Sequence, residues 1–186
     1  MATILGMSGS IRVGSFNSML LRALAGAAPP PTTVDIVSIR DVPLYDGDWE
    51  AAQGIPPAVE QLKERLAAAD GLLLVTPEYN NSIPGVAKNT IDWMSRPPAD
   101  IARVFRGKPV AIAGATPGPG GTALSQAAWL PVVRTLGMLP WFQGRLMISG
   151  AAKVFDSSGA MVDEAIRDRV GKFIEGFAEF ADRMRR

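Results

Sequence analysis

Short apolar runs recur along the chain at the length of β-strands. They cover residues 3–7, 34–39, 72–76, 110–115 and 146–149. Segments with apolar residues at helical spacing lie between them, at 15–26, 57–69, 84–95 and 121–136, and a last one covers 163–185. The central runs are apolar at every position, as in strands that are buried on both faces. The pattern therefore predicts a doubly wound α/β sandwich, a parallel sheet with helices on both sides.

The longest connection between these elements covers residues 41–54, is rich in turn residues and carries Tyr45 and Trp49. Such a loop either acts as a lid or subunit contact, or packs its aromatic side chains on its own core. The helix predicted at 84–95 leaves a similar choice, because Trp93 either contacts a second subunit or is buried against the sheet.

The length of 186 residues suits one domain, predicted over residues 1–186, and the net charge of +1 does not suggest a nucleic-acid binder. No apolar stretch is long enough to span a membrane, and the N-terminus lacks the basic region of a signal peptide, so we expect a cytoplasmic protein without membrane partners. The chain contains neither cysteine nor histidine, which removes thiolate chemistry and the commonest general base and metal ligand. An enzyme of this composition is expected to take its reactivity from a cofactor and to hold no metal.

The segment 8–17 forms a predicted strand-to-helix turn with two glycines, three serines, an asparagine and an arginine. Ser10, Arg12, Ser15 and Asn17 can direct donors toward one phosphate, together with the free N–H groups of the helix. The glycine spacing fits neither a Walker A loop nor the dinucleotide fingerprint, which favours a monophosphate anchor. The alternative is a capped helix with nothing bound.

Two further loops follow predicted strands at the same edge of the sheet. Residues 76–85 hold a short polar run between prolines, and Asn80-Asn81 tolerates left-handed backbone that turns N–H groups outward. Residues 116–122 are rich in glycine and proline, which permits close approach to a flat ring. Each loop alone could equally be an ordinary turn.

Three motifs, Gly9-Ser10-Ile11-Arg12 with Ser15-Phe16-Asn17, Thr76-Pro77-Glu78-Tyr79-Asn80, and Ser82-Ile83-Pro84-Gly85, occur in this order. With them the chain resembles, over nearly its whole length, the NADPH-dependent FMN reductase family, a flavodoxin-like group that includes quinone, azo and chromate reductases. The resemblance implies a three-layer flavodoxin-like sandwich around a five-stranded parallel sheet of order 2-1-3-4-5. It also implies a homodimer or homotetramer.

The resemblance further implies a bound FMN and assigns residues to it. Ser10, Arg12, Ser15, Phe16 and Asn17 match the phosphate end, and the isoalloxazine is lined by Pro77, Glu78, Tyr79, Asn80, Thr116 and Gly118. The expected reaction is ping-pong hydride transfer from NADPH or NADH to a quinone or a similar flat acceptor (an azo compound, nitroaromatic, flavin or chromate), without a catalytic side chain. The alternatives are a flavodoxin-like electron-transfer module and a non-enzymatic FMN-binding regulatory protein.

Overall fold

Six parallel strand segments form one sheet in the computed structural model, which describes residues 2–185. They are β1 (Thr3–Ser8), β2 (Thr33–Val37), β3 (Gly71–Val75), β4 (Pro109–Ala115), β5 (Leu139–Pro140) and β6 (Leu146–Ile148). The order is β2-β1-β3-β4, and both β5 and β6 pair with the outer edge of β4. The predicted order 2-1-3-4-5 is confirmed.

The fifth position of the sheet is shared by two segments. β5 pairs with Pro109 and Val110, whereas β6 pairs with the opposite end of β4. Between them the chain leaves the sheet so that the indole of Trp141 packs against Phe173, with ring centroids 5.1 Å apart. The sequence predicted only the second segment, because a two-residue strand followed by an aromatic excursion has no periodicity to detect.

The helices are α1 (Phe16–Gly26), α2 (Gly47–Gln53), α3 (Pro57–Ala68), α4 (Gly85–Met94), α5 (Ile101–Val104), α6 (Ala123–Thr135), α7 (Ala151–Val154) and α8 (Glu164–Met184). Leu72 and Leu74 belong to a core that includes side chains of α3, α4 and α6, whereas Leu73 and Val75 belong to a core on the α1 and α8 face. This two-sided burial explains the continuous apolar runs. None of the helices in residues 2–185 has the length and apolar character of a membrane span.

The connection at residues 41–54 contains a helix that the sequence analysis missed. Asp46 caps α2, because its carboxylate accepts hydrogen bonds from the N–H groups of Asp48 and Trp49. The rings of Tyr45 and Trp49 pack edge-on against Trp93, at 4.9 and 5.8 Å. Trp93 is fully buried, so Tyr45 and Trp49 pack against the core of their own chain.

Candidate functional site

Three loops meet at the carboxyl edge of the sheet, after β1, β3 and β4. We call them loop 1 (residues 9–15), loop 2 (76–84) and loop 3 (116–122). β1 and β3 are neighbours, and the Gly9 N–H donates to the carbonyl of Val75 at 2.8 Å. The strand order reverses at this point, because the chain places β2 on one side of β1 and β3 on the other. Open α/β sheets bind ligands at such switch points.

A cavity of about 220 Å³ opens between the three loops, and we call it the main cavity. It is lined by Ser10, Arg12, Ser15, Phe16, Asn17, Pro77, Glu78, Tyr79, Ala115, Thr116 and Pro117. Nine of the eleven residues that the sequence analysis assigned to FMN are therefore brought together here. Asn80 and Gly118 do not line the cavity, whereas Ala115 and Pro117 do and were missed. Ala115 is the last residue of β4 and Pro117 follows Thr116 in loop 3, and the resemblance assigned neither of them to FMN.

Loop 1 presents a series of free backbone donors. In the part of the chain that the structure describes, the N–H groups of residues 13–17 donate to no protein acceptor. Ser15 caps α1 through a long hydrogen bond of 3.4 Å from the Ser18 N–H, and the hydroxyl of Ser10 accepts from the Arg12 N–H at 3.4 Å. The guanidinium of Arg12 donates to the Gly14 carbonyl at 2.9 Å, which keeps it beside these N–H groups. Such a group of amides, hydroxyls and one cation suits a phosphate.

Asn17 has a different role from the one expected for its side chain. Its amide donates to the Ala115 carbonyl and accepts from the Ala115 N–H, both at 2.9 Å. This buried pair joins the start of α1 to the end of β4. Among the described residues, the donor of Asn17 that has no acceptor is its backbone N–H. Phe16 lies beside it and stacks on Phe155, with centroids 6.2 Å apart.

Loop 2 is a rigid hairpin turn. Tyr79 and Ser82 exchange two backbone hydrogen bonds, of 3.2 and 3.0 Å. Asn80 and Asn81 have φ values of 50° and 58°, so the expected left-handed backbone at both positions is confirmed. The Tyr79 N–H is consumed within this turn, and among the described residues those of Glu78 and Asn80 have no acceptor. The side chain of Tyr79 is half exposed at the rim of the cavity.

Glu78 joins loop 2 to the start of α6. One of its carboxylate oxygens accepts hydrogen bonds from the N–H groups of Leu124 and Ser125, at 2.8 and 3.0 Å. A carboxylate at a helix N-terminus satisfies free donors and interacts favourably with the helix dipole. The Glu78 carboxylate is therefore engaged with α6, and the polar group of Glu78 that has no acceptor among the described residues is its N–H.

A buried hydroxyl network holds the base of loop 2. Thr76 donates to the Pro77 carbonyl at 2.9 Å, its oxygen lies 3.0 Å from the Ser125 hydroxyl, and the Trp129 indole N–H donates to it at 3.1 Å. Sequence reasoning missed Ser125 and Trp129, although their spacing of four places them on one face of α6. The network fixes loop 2 against α6, and the contact of the Glu78 carboxylate with the start of α6 is a second connection between the same two segments.

Loop 3 approaches β4 very closely. A Cβ atom on Gly114 would lie 2.0 Å from the hydroxyl oxygen of Thr122 and 2.4 Å from the Thr76 carbonyl oxygen, so only glycine fits there. Thr122 is itself buried with a φ of 66°. The Gly118 N–H donates to the Thr116 hydroxyl at 3.3 Å, and Gly118 does not line the cavity.

The donor set of the main cavity fits a phosphate at loop 1 and a flat polar ring near loops 2 and 3. Arg12 is the one cationic side chain in its lining, and its one carboxylate, Glu78, is bound to α6. The described residues contain no group of three or more histidine, cysteine, aspartate or glutamate side chains that could hold a metal ion. The geometry thus supports binding and orientation of a phosphorylated ring.

Comparisons with known proteins agree with this geometry. A family model described as NADPH-dependent FMN reductase matches residues 2–153. An NAD(P)H-dependent FMN reductase of Pseudomonas aeruginosa is 41% identical over 182 residues, covering 98% of this chain and 96% of that protein. A 2-hydroxy-1,4-benzoquinone reductase of a Burkholderia species is 39% identical over 170 residues, covering 91% of each chain. The solved structure of FerB, a flavoenzyme NAD(P)H:(acceptor) oxidoreductase from Paracoccus denitrificans, superposes with a TM-score of 0.88, 32% identity and 99% coverage of both chains.

Proposed function

The chain belongs to the NADPH-dependent FMN reductase family, an NAD(P)H-dependent flavoenzyme group, and on that premise we propose that it reduces quinones with an FMN held in the main cavity. Membership of this family confirms the prediction of an oxidoreductase. It does not favour the two alternatives, an electron-transfer module and a non-enzymatic regulatory protein. The observation that supports the placement of FMN is the set of N–H groups of residues 13–17, which have no acceptor in the described part of the chain and lie beside Arg12.

Each loop has a distinct task in this proposal. Loop 1 binds the phosphate through its N–H groups, the hydroxyls of Ser10 and Ser15, and Arg12. Loop 2 directs the N–H group of Glu78 toward the polar edge of the ring, and Thr116 and Pro117 in loop 3 lie on its other side. Bound FMN supplies hydride-transfer chemistry, from a reduced nicotinamide to an acceptor. The protein residues orient the ring with fixed dipoles that need no rearrangement during the reaction.

A quinone suits the open form of the cavity. The cavity has a volume of about 220 Å³, which is smaller than the roughly 300–1,000 Å³ common for sites that bury most of their ligand. An FMN held there therefore keeps part of its surface open to a second molecule. The half-exposed ring of Tyr79 stands at its rim and offers a stacking surface to a flat molecule. The name of the Burkholderia relative, a benzoquinone reductase, points to the same class of acceptor.

The proposal extends to the organisation of the protein. Residues 1–186 act as one flavodoxin-like domain, since the two apolar cores share the strands of a single sheet. The working form is a homodimer or homotetramer, supported by the exposed apolar side chains of Leu124, Leu130 and Phe142. The site of action is the cytoplasm, where NADPH and NADH are regenerated. Light scattering on the purified protein tests the oligomeric state, and fractionation of cells tests the location.

The visible spectrum of the purified protein is the decisive test. We expect flavin absorption bands that bleach under anaerobic NADPH or NADH and return when a benzoquinone is added. A colourless protein that fails to retain added FMN would overturn the proposal. Retained FMN with quinone reduction no faster than that by free reduced flavin would overturn the enzymatic part alone.

A further inference from the structure

A second cavity adjoins the main cavity on the other side of loop 1. It has a volume of about 380 Å³, within the roughly 300–1,000 Å³ common for ligand sites. It lies between α1 and the carboxyl end of β2, and Ser10 and Arg12 line both cavities. A ligand that crosses loop 1 can therefore contact both, and the binding of FMN proposed above leaves this second cavity unused.

The second cavity is lined by three arginines, Arg12, Arg22 and Arg40, and by no carboxylate. The Arg40 guanidinium donates to the Ile11 carbonyl, which keeps it over loop 1. In the described chain Arg22 has no ion-pair partner. The nearest acids in sequence are otherwise placed, because Asp41 lines a separate cavity and Asp35 is paired with Arg65. The cavity therefore carries positive charge without a neutralising partner, which favours an anion.

Its other walls suit a flat apolar group. Leu21 belongs to the wall formed by α1, and Ile11 and Ile36 line the cavity with exposed fractions of 39% and 42%. Ser10, Ser18 and Ser38 add hydroxyls. Arginine guanidinium planes also stack on aromatic rings. Apolar side chains, hydroxyls and three guanidinium groups together fit a purine nucleoside that carries a phosphate.

The charge of the lining indicates which nucleoside phosphate this is. In sites that bind nicotinamide dinucleotides, an acid accepts the free ribose 2′-hydroxyl of NADH, whereas an arginine accommodates the 2′-phosphate of NADPH. Among the described residues, the second cavity offers arginines and no acid. In this chain β2 is followed by Ser38 and Arg40 at the cavity. We propose that the second cavity binds the adenosine 2′-phosphate end of NADPH, and that Arg22 and Arg40 make the enzyme select NADPH over NADH. This step rests on the proposed function for the identity of the electron donor.

Calorimetric titration of the FMN-loaded protein tests the site without turnover. We expect adenosine 2′,5′-bisphosphate to bind at least about tenfold more tightly than 5′-AMP, because charge-assisted hydrogen bonds to the extra phosphate are strong. Arg22→Gln and Arg40→Gln should each shrink this ratio severalfold, whereas Arg40→Lys should retain part of it. The matched control is Arg134→Gln, an exposed arginine in the last turn of α6 outside both cavities, which should leave the ratio unchanged. FMN content and melting temperature report that each variant is folded.

Steady-state kinetics provide the second readout. The two glutamine variants should lower kcat/KM for NADPH far more than kcat/KM for NADH, mainly through KM. Equal binding of the two nucleotides by the unchanged protein, or an unaltered ratio in both glutamine variants, would overturn the inference while FMN retention and quinone reduction stand. If the protein retained no FMN, the proposed function would fail, and the same titration on the protein alone would still decide whether the cavity prefers the 2′-phosphate.

Discussion

Arg12 is the charged side chain that faces the free N–H groups of loop 1, and its replacement is the direct test of the phosphate position. We expect Arg12→Ala to weaken FMN binding by about 1.5–3 kcal/mol, or about 10- to 150-fold, because a charge-assisted hydrogen bond is lost. Titration of the FMN-free protein with FMN, followed by flavin fluorescence, measures this change. Arg134→Ala removes an exposed arginine elsewhere and should have no effect. Unchanged affinity in Arg12→Ala would place the phosphate outside loop 1.

Gly114 tests how tightly loop 3 is fitted to the sheet. A methyl group there meets the Thr122 hydroxyl and the Thr76 carbonyl, so Gly114→Ala must displace the base of two loops. We expect a loss of about 1–3 kcal/mol in the free energy of unfolding, measured by urea denaturation, together with weaker FMN binding. Gly171→Ala is the matched control: it lies in α8 with open space around its Cβ position, and should stabilise the protein by about 0.5–1 kcal/mol. Equal stability of the two variants would contradict the tight fit.

At the scale of elements, the contact that matters most for the site is between loop 2 and α6. The Glu78 carboxylate caps α6 and fixes the turn that carries Tyr79 and Asn80. We expect Glu78→Ala to cost about 1 kcal/mol of unfolding free energy, as loss of a helix cap does, and to weaken FMN binding because the turn is released. Urea denaturation and FMN titration measure the two effects.

Two comparisons separate this explanation from a simple change of charge. Glu78→Gln keeps an oxygen acceptor for the helix N–H groups and should lose less stability than Glu78→Ala. Glu175→Ala removes an exposed carboxylate from α8 and should change neither quantity. If Glu78→Gln and Glu78→Ala were equally stable and bound FMN as the unchanged protein does, the cap would not position loop 2.

At the scale of the whole molecule, three carboxyl groups tie stability to pH. A hydrogen bond from Arg96 holds the pKa of Glu50 below its usual range, and one from buried Lys63 does the same for the pKa of Asp100. The Ser158 hydroxyl and the Ala160 N–H lower the pKa of Asp156. Each of these carboxyls binds its proton less readily in the folded chain than in the unfolded one, so its stabilisation is present above the unfolded pKa and is lost as the pH falls through the folded pKa.

We therefore expect the melting temperature to fall steadily below about pH 5 and to be nearly flat between about pH 6 and 9, because the chain has no histidine to titrate there. Thermal melts over a pH series measure this. Glu50→Gln should melt lower than the unchanged protein at pH 7, and the gap should narrow in acid, where the carboxylate that accepts the Arg96 hydrogen bonds is protonated. A gap that is constant from pH 7 to pH 3 would contradict the role of Glu50.

The sequence by itself determined the central strands, the five long helices and the strand order, because periodicity and the resemblance depend on residues close together in the chain. It also indicated which three loops form the site, since the carboxyl ends of parallel strands lie at one edge of a sheet. It did not determine what each side chain does there. The Glu78 carboxylate caps α6, and the Asn17 amide is engaged with Ala115, 98 residues away.

Only the tertiary structure decided these assignments, because a hydrogen-bonding group is directed by partners that are distant in sequence. The same holds for the short elements: α2 depends on its Asp46 cap and on the aromatic contacts to Trp93, and β5 exists because the edge of β4 is there to pair with it. The second cavity, with Arg22 from α1 and Arg40 from beyond β2, likewise follows from the packing of α1 against the sheet and from no motif in the chain.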